Sequence, residues 1–334
     1  MDPLSNFQLK NFFNRYTPIT REICDELVAT IANGGTTNPT PLQGAQSYTV
    51  QVSDDNDGFI VQFRGPQNTL DFELLNAAQE TYGGLVPSTC EHLAQFDLKV
   101  HPLRVYKMND IPGDALLQVN SFLHQPENCH LLEHTVQDFA RFCSRAWLNR
   151  PLLLPSFNKA SIQNNYSSSL DRMMDLLPAR FHPLLDTLQS QIPSLFADDY
   201  PMVLNHGDLL ENNILVDRNT GKLTGIVDWR DAEVGPFAMQ LCGLENILGI
   251  RKTTCMAFHP RHLELRQLFW KTLFHEMGDV SEEMKVVIQT ARMVGIFLAN
   301  EFDVGETSEE DQVMQLAVLE SMTLGLSDIG LVIG

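Results

Sequence analysis

Residues 203–217 read VLNHGDLLENNILVD, which puts a histidine (His206), a carboxylate (Asp208) and an asparagine (Asn213) directly before an apolar run. Polar side chains at the mouth of a buried strand either bond their own backbone, as Asx-type turns do, or meet a ligand. A second apolar run, LTGIVDW at 223–229, ends in Asp228 and Trp229. The turn-forming RNTGK between the two runs makes them a hairpin by pattern. With Asp217 opposite Leu223, Asn213 falls opposite Val227 or Asp228. Directly opposed residues lie roughly 4.5–5.5 Å apart at Cα. An amide oxygen and a carboxylate so placed suit one hard divalent cation such as Mg²⁺, whose remaining shell phosphate oxygens can complete. Asp208, on the loop feeding this hairpin, is then positioned to take a proton from a hydroxyl. His206 belongs to the same catalytic loop, where it reads as a brace rather than a proton carrier. Each residue alone would be an ordinary turn or cap; their convergence on one hairpin end marks a site.

The elements that must position these groups divide by pattern. Residues 20–33 read as a helix opened by Thr20 and closed by Gly34-Gly35. SYTVQV (47–52) and GFIVQFR (58–64) read as strands joined by a turn at Asp-Asp-Asn-Asp. A helix over 70–82 stops at Gly83-Gly84, and LRVYKM (103–108) is a further strand before NDIPGD. Beyond it the apolar spacing is helical over 131–148, 261–277, 282–302 and 309–324, with Thr307 and Glu310 as a capping box for the last. The hairpin is the one β-like exception there. The expected fold class is therefore α+β and bilobal. A small β-rich lobe spans 1–108, a linker 109–114, and a larger helical lobe carrying the hairpin 115–334. The 334 residues exceed what a single core supports.

Composition narrows the partners. A net charge of −19 argues against nucleic acid and anionic membranes, and it favours a cationic acceptor or simple solubility. A nucleotide would need a local cation or a metal. No run of 18 apolar residues occurs, the first residues lack the pattern of a secretory signal, and six scattered cysteines suit a reducing cytosol. A cytoplasmic location is expected. His130 and His134, four apart on a helix, and the His259/His262 pair lack an evident third ligand and read as structural. Cys242 and Cys255 read as buried thiols, and Phe269, Trp270 and Phe274 as core, part of which could line a pocket.

His206-x-Asp208-x₄-Asn213 followed by Ile226-Val227-Asp228-Trp229 resembles the aminoglycoside phosphotransferase and choline kinase-like family. GFIVQFR, DFELLNAAQETYGGLVP and VDWRDAEVGPF are similar to its fungal members, over about residues 40–250. The resemblance implies a fold like that of protein kinases and transfer of the ATP γ-phosphoryl group to a small-molecule hydroxyl. It makes Asp208 the catalytic base, Asn213 a Mg²⁺ ligand and Asp228 the main metal ligand. No Ala-Pro-Glu segment follows Asp228, which points to small acceptors. The resemblance also calls for a strand cation on the α/β-phosphates, paired with a helix acid. Gln62 or Arg64 takes that place according to register, with Arg64 favoured, and Glu73 is its expected partner ahead of Asp71 and Glu80. Gly44 would let a loop over 41–47 approach phosphate, and the backbone around Lys107, Met108 and Asn109 would hold adenine. The family's acid after Gly235-Pro236 is replaced where Phe237-Ala238-Met239 runs into Gln240, read as a packing difference. Neutral Gln62 and the single glycine Gly44 leave a second expectation, a catalytically weak nucleotide-binding or scaffold protein.

Overall fold

The computed structural model describes residues 3–53, 58–150, 157–300 and 308–327. The chain forms two compact units. One comprises Met1–Gln79, Gly83–Pro112 and Gly225–Arg230; the other comprises Glu80–Tyr82, Gly113–Thr224 and Asp231–Gly334.

The first unit is built on a five-stranded antiparallel sheet, in the order Thr36–Pro39, Ser47–Ser53, Phe59–Arg64, Arg104–Asn109, Cys90–His92. Alternation decides its faces, because successive side chains on a strand point opposite ways. Tyr48, Val50, Val52, Val61, Phe63 and Val105 are buried together against Leu9 and Phe12 of the helix Pro3–Arg15 and Cys24, Leu27 and Val28 of the helix Arg21–Ala32. That leaves Gln62 and Arg64 on the opposite face. Thr20 caps the second of these helices as expected, accepting from the Ile23 N–H. The Asp-Asn turn expected at 54–57 lies outside the described residues. The helix Phe72–Tyr82 opens on Asp71, whose carboxylate accepts from the N–H groups of Glu73 and Leu74.

The second unit is mainly helical. Its long helix Cys129–Leu148 packs on His262–Met277, with the Phe139 and Phe269 rings 5.9 Å apart. Glu282–Ala299 and Glu309–Met322 follow the expected spacing, and Lys159–Leu176 and His182–Leu195 add two helices that the apolar pattern did not show. Ser308 caps the helix Glu309–Met322 by accepting from the Asp311 N–H; the expected Thr307 lies outside the described residues. The hairpin is present as Ile214–Val216 and Leu223–Ile226, flanked by Asp114–Ala115 in a three-stranded sheet. It is not the only β structure of this half, contrary to expectation. Met202–Asn205 pairs with Glu233–Pro236, and Gly249–Arg251 with Met256–Phe258. Strands of three or four residues are too short to show a period of two.

Candidate active site

The strand Met202–Asn205 buries Val203 and Leu204 and delivers His206-Gly207-Asp208 at its end. His206 is fully buried. Its backbone N–H donates to Gln240 Oε1 at 3.2 Å, and its Nδ1 accepts from the Asp208 N–H at 3.3 Å. The ring thus ties the loop to its own backbone. Gln240 Nε2 donates to the Tyr82 hydroxyl at 2.8 Å, and that hydroxyl donates to the Leu204 carbonyl. Asn205 Oδ1 accepts from the Gln240 N–H at 3.4 Å and its Nδ2 donates to the Pro236 carbonyl at 3.2 Å. Strand, loop and Gln240 are joined by one connected set of buried hydrogen bonds. Gly207 must be glycine here: its φ is +80°, and a Cβ would sit 1.9 Å from the Asp231 carbonyl oxygen.

Asp208 is half-buried, and Asn213 holds it from behind. Asn213 Nδ2 donates to the Asp208 carbonyl at 2.8 Å and to its Oδ2 at 3.2 Å, while Asn213 Oδ1 accepts from Asn212 at 3.0 Å. The five-residue spacing therefore brings the acid and the amide into contact.

Asp228, in the first unit, has a φ of 63°, a left-handed backbone that non-glycine residues adopt at a cost of about 1–3 kcal/mol. Its Oδ1 accepts from Arg64 Nη2 at 2.6 Å. Arg64 is 2% exposed and the Asp228 side chain 42%. Arg64 Nε donates to Gln62 Oε1 at 2.6 Å, and Gln62 Nε2 donates to Thr49 Oγ1 at 3.0 Å. Gln62 and Arg64 thus share one face of the strand and one hydrogen bond, through which Gln62 orients the guanidinium. The expected partner, Glu73, does not meet Arg64. It is exposed in the first helical turn, where the helix N-terminus favours an acid, and it forms no ion pair among the described residues. Asp71 is occupied as the cap.

Gly44 lies in an exposed loop where a Cβ would meet nothing closer than Ser47 Oγ at 3.9 Å, so the backbone there does not demand glycine. Neighbouring Gln43 anchors the loop: its N–H donates to Ser5 and its side chain bonds Thr40 and the backbone of Thr49. Met108 sits inside its strand with Ile60 paired on one side and Cys90 on the other, and the Asn109 N–H donates to the Thr89 carbonyl.

Two cavities of the second unit touch the Asp208 loop. One, of about 70 Å³, is lined by Asp208, Cys242, Asn246, Arg251, Ile296 and Asn300 among others. The second, about 170 Å³, includes Tyr166, Asn205, Glu233 and Gln240 in its wall. Burial pushes the Cys242 thiol up to about 12, so it stays protonated. Tyr82, Gln240, Asn246 and Arg251 escaped the sequence reading. Gln240 alone left a trace, at the place where the acid after Gly-Pro is missing.

A five-stranded antiparallel sheet and a larger helical part with a short hairpin make an α+β fold in which Asn213 holds Asp208 five residues before it. A model described as the phosphotransferase enzyme family matches residues 39–250, and the chain belongs to that family. Among solved structures it is similar to a choline/ethanolamine kinase family protein from Mesorhizobium loti, at 16% identity over 90% of this chain and 94% of that one, with a TM-score of 0.57. It is also similar to the amicoumacin kinase hAmiN in complex with AMP-PNP, Ca²⁺ and Ami, at 12% identity over 91% and 96%, TM-score 0.53. A third likeness is to the choline kinase LicA from Streptococcus pneumoniae, at 14% identity over 92% and 98%, TM-score 0.50. No curated protein matches by sequence.

Proposed function

We propose that this chain is an ATP- and Mg²⁺-dependent phosphotransferase that moves the γ-phosphoryl group to a hydroxyl of a small molecule. The observation that carries the reading is Asp208: a half-buried carboxylate, fixed by Asn213 and by the buried His206–Gln240 set, lining a cavity. In the transfer, the acceptor O–H proton passes to Asp208. The acceptor oxygen bonds the γ-phosphorus as its bond to the β-phosphate oxygen breaks, and ADP leaves. Asn213 keeps the Asp208 carboxylate aimed, and His206 holds the loop without moving a proton.

By their places in the motif, Asn213 and Asp228 would be the residues that hold Mg²⁺. An amide oxygen and a carboxylate fit that ion, which takes hard oxygen donors and leaves further positions to phosphate. When bound, Mg²⁺ with the nucleotide supplies neutralisation of phosphate charge. Arg64, oriented by Gln62 and paired with Asp228, would be the cation for the α/β-phosphates. The hAmiN complex, which holds AMP-PNP and Ca²⁺, supports a nucleotide with a divalent ion. Six free thiols fit a reducing compartment, for which the cytoplasm is the natural choice, and among the described residues no helix is long and apolar enough to cross a membrane.

Asp208→Asn tests the reading. The variant should bind Mg-ATP in calorimetry like the wild type, while ADP release with hydroxyl acceptors falls by roughly 10²–10⁴-fold, the usual share of a positioned base. Unchanged ADP release would refute the base. A wild type whose thermal midpoint ignores Mg-ATP would favour the scaffold expectation.

A further inference from the structure

The cavity beside Asp208 contains groups that phosphoryl transfer itself does not use. Asn246 is 7% exposed; its Nδ2 donates to the Leu209 carbonyl at 3.1 Å, which leaves Oδ1 facing away from that bond and without a hydrogen-bond partner. A buried amide oxygen left unpaired costs about 1–3 kcal/mol, so it is an acceptor waiting for a donor. Arg251, at the end of the strand Gly249–Arg251, lines the same cavity. It is half-buried and forms no ion pair among the described residues. In this acidic chain other arginines meet acids: Arg64 meets Asp228, Arg266 and Arg292 share Glu245, and Arg141 reaches both Asp138 and Glu276. Ile296 and Met322 supply apolar wall, which strengthens any charge pairing made beside it.

We propose that the acceptor of this chain is a small hydroxylated molecule bearing an anionic group, carboxylate or phosphate, which Arg251 binds while Asn246 Oδ1 takes a second hydroxyl. The inference rests on the phosphotransferase reading and names its substrate class. It reverses the cationic acceptor that the net charge suggested. That charge belongs to the chain as a whole, whereas among the described residues the carboxylate and the cation lining this cavity are Asp208 and Arg251. An ammonium-bearing acceptor would meet Arg251 as a like charge, whereas an anion would meet a planar donor fork.

Calorimetry on the full chain, with Mg-AMP-PNP present, tests this with four probes: glycerate, glycerol 3-phosphate, glycerol and choline. The two anions should bind at least tenfold more tightly than glycerol and choline. Their order separates a carboxylate source from a phosphate source. Arg251→Gln should lose roughly 10- to 100-fold in anion affinity, the worth of a charge-assisted hydrogen bond, with an unchanged thermal midpoint. Arg251→Lys should regain part of it. Anions that bind no better than glycerol, including no binding by any probe, overturn the inference, as does an R251Q variant that binds them like the wild type. ADP release is read in parallel with ATP. A wild type that binds the anions and releases no ADP refutes phosphotransfer and leaves the Arg251 anion site standing.

Discussion

Gln240 stands where the family resemblance calls for an acid, and its contacts allow the consequence of removing it to be worked out. It is 4% exposed and bonds through both side-chain atoms: Oε1 to the His206 N–H at 3.2 Å and Nε2 to the Tyr82 hydroxyl at 2.8 Å. Gln240→Ala withdraws both partners inside the core. The lost buried bonds cost about 1–3 kcal/mol, and the space left by truncation adds about 1 kcal/mol, so roughly 2–4 kcal/mol of stability should disappear. The His206 backbone leads into Gly207 and Asp208, so the loss should also loosen the acid. A shift of an ångström at a reacting group can cost 10²-fold in rate. Urea unfolding gives the first number, and ADP release with calorimetric Mg-ATP binding gives the second. Turnover should fall while Mg-ATP affinity holds, because Gln240 touches the base loop and not the Arg64–Asp228 pair. Gln240→Glu keeps an oxygen for the His206 N–H and should retain more turnover than Gln240→Ala. An alanine variant that unfolds at the wild-type urea concentration with wild-type turnover would refute the positioning role.

Gly207→Ala forces a Cβ to within 1.9 Å of the Asp231 carbonyl at a φ of +80°; turnover should drop about 100-fold and stability by more than about 1 kcal/mol, checked by ADP release and urea unfolding. Burial alone would raise the Glu245 carboxyl, yet Arg266 and Arg292 together hold it down at about 2. A depressed folded pKa gives stability that is present above the ordinary carboxylate value and lost as pH falls toward 2, so acid unfolding should steepen between about pH 4.5 and 2. Glu245→Gln leaves two arginines, 2% and 3% exposed, without their counter-charge; it should cost roughly 3–5 kcal/mol at pH 7 and flatten that acid slope, whereas an unaltered slope would exclude Glu245 as its source.

Patterns with a period were legible from the residues. Val61 and Phe63 alternate with Gln62 and Arg64, which fixed both faces of that strand before any partner was known. Thr20 announced a helix start, and RNTGK announced the hairpin turn that Asp217 closes by accepting from Asn219 and Thr220. What escaped has no local signature. The strands Met202–Asn205 and Gly249–Arg251 are too short for alternation. The acid that meets Arg64 lies 164 residues away, whereas the resemblance called for an acid on the next helix and made Glu73 the candidate. Asn246 and Arg251 carried no signal in the residues, because a cavity lining is a tertiary property. Gln240 was noticed as a departure, but its function depends on Tyr82, 158 residues earlier.

Asp228 joins two features that a purely structural residue would not be expected to combine. Its backbone is left-handed at a φ of 63°, and its carboxylate remains 42% exposed although Arg64 beside it is almost wholly buried. An ion pair with one half-open partner is screened by solvent and adds about 0–1 kcal/mol. Asparagine tolerates the left-handed region and offers the same oxygen to Arg64 Nη2. Asp228→Asn should therefore unfold in urea within about 1 kcal/mol of the wild type. The amide is a far weaker ligand than a carboxylate for Mg²⁺, so the same variant should lose at least tenfold in Mg-ATP affinity by calorimetry. Stability retained with binding lost would mean that the strained backbone is kept for the ion. If stability instead falls by several kcal/mol while Mg-ATP still binds, Asp228 is a structural counter-charge for Arg64, and the metal role must pass to another residue.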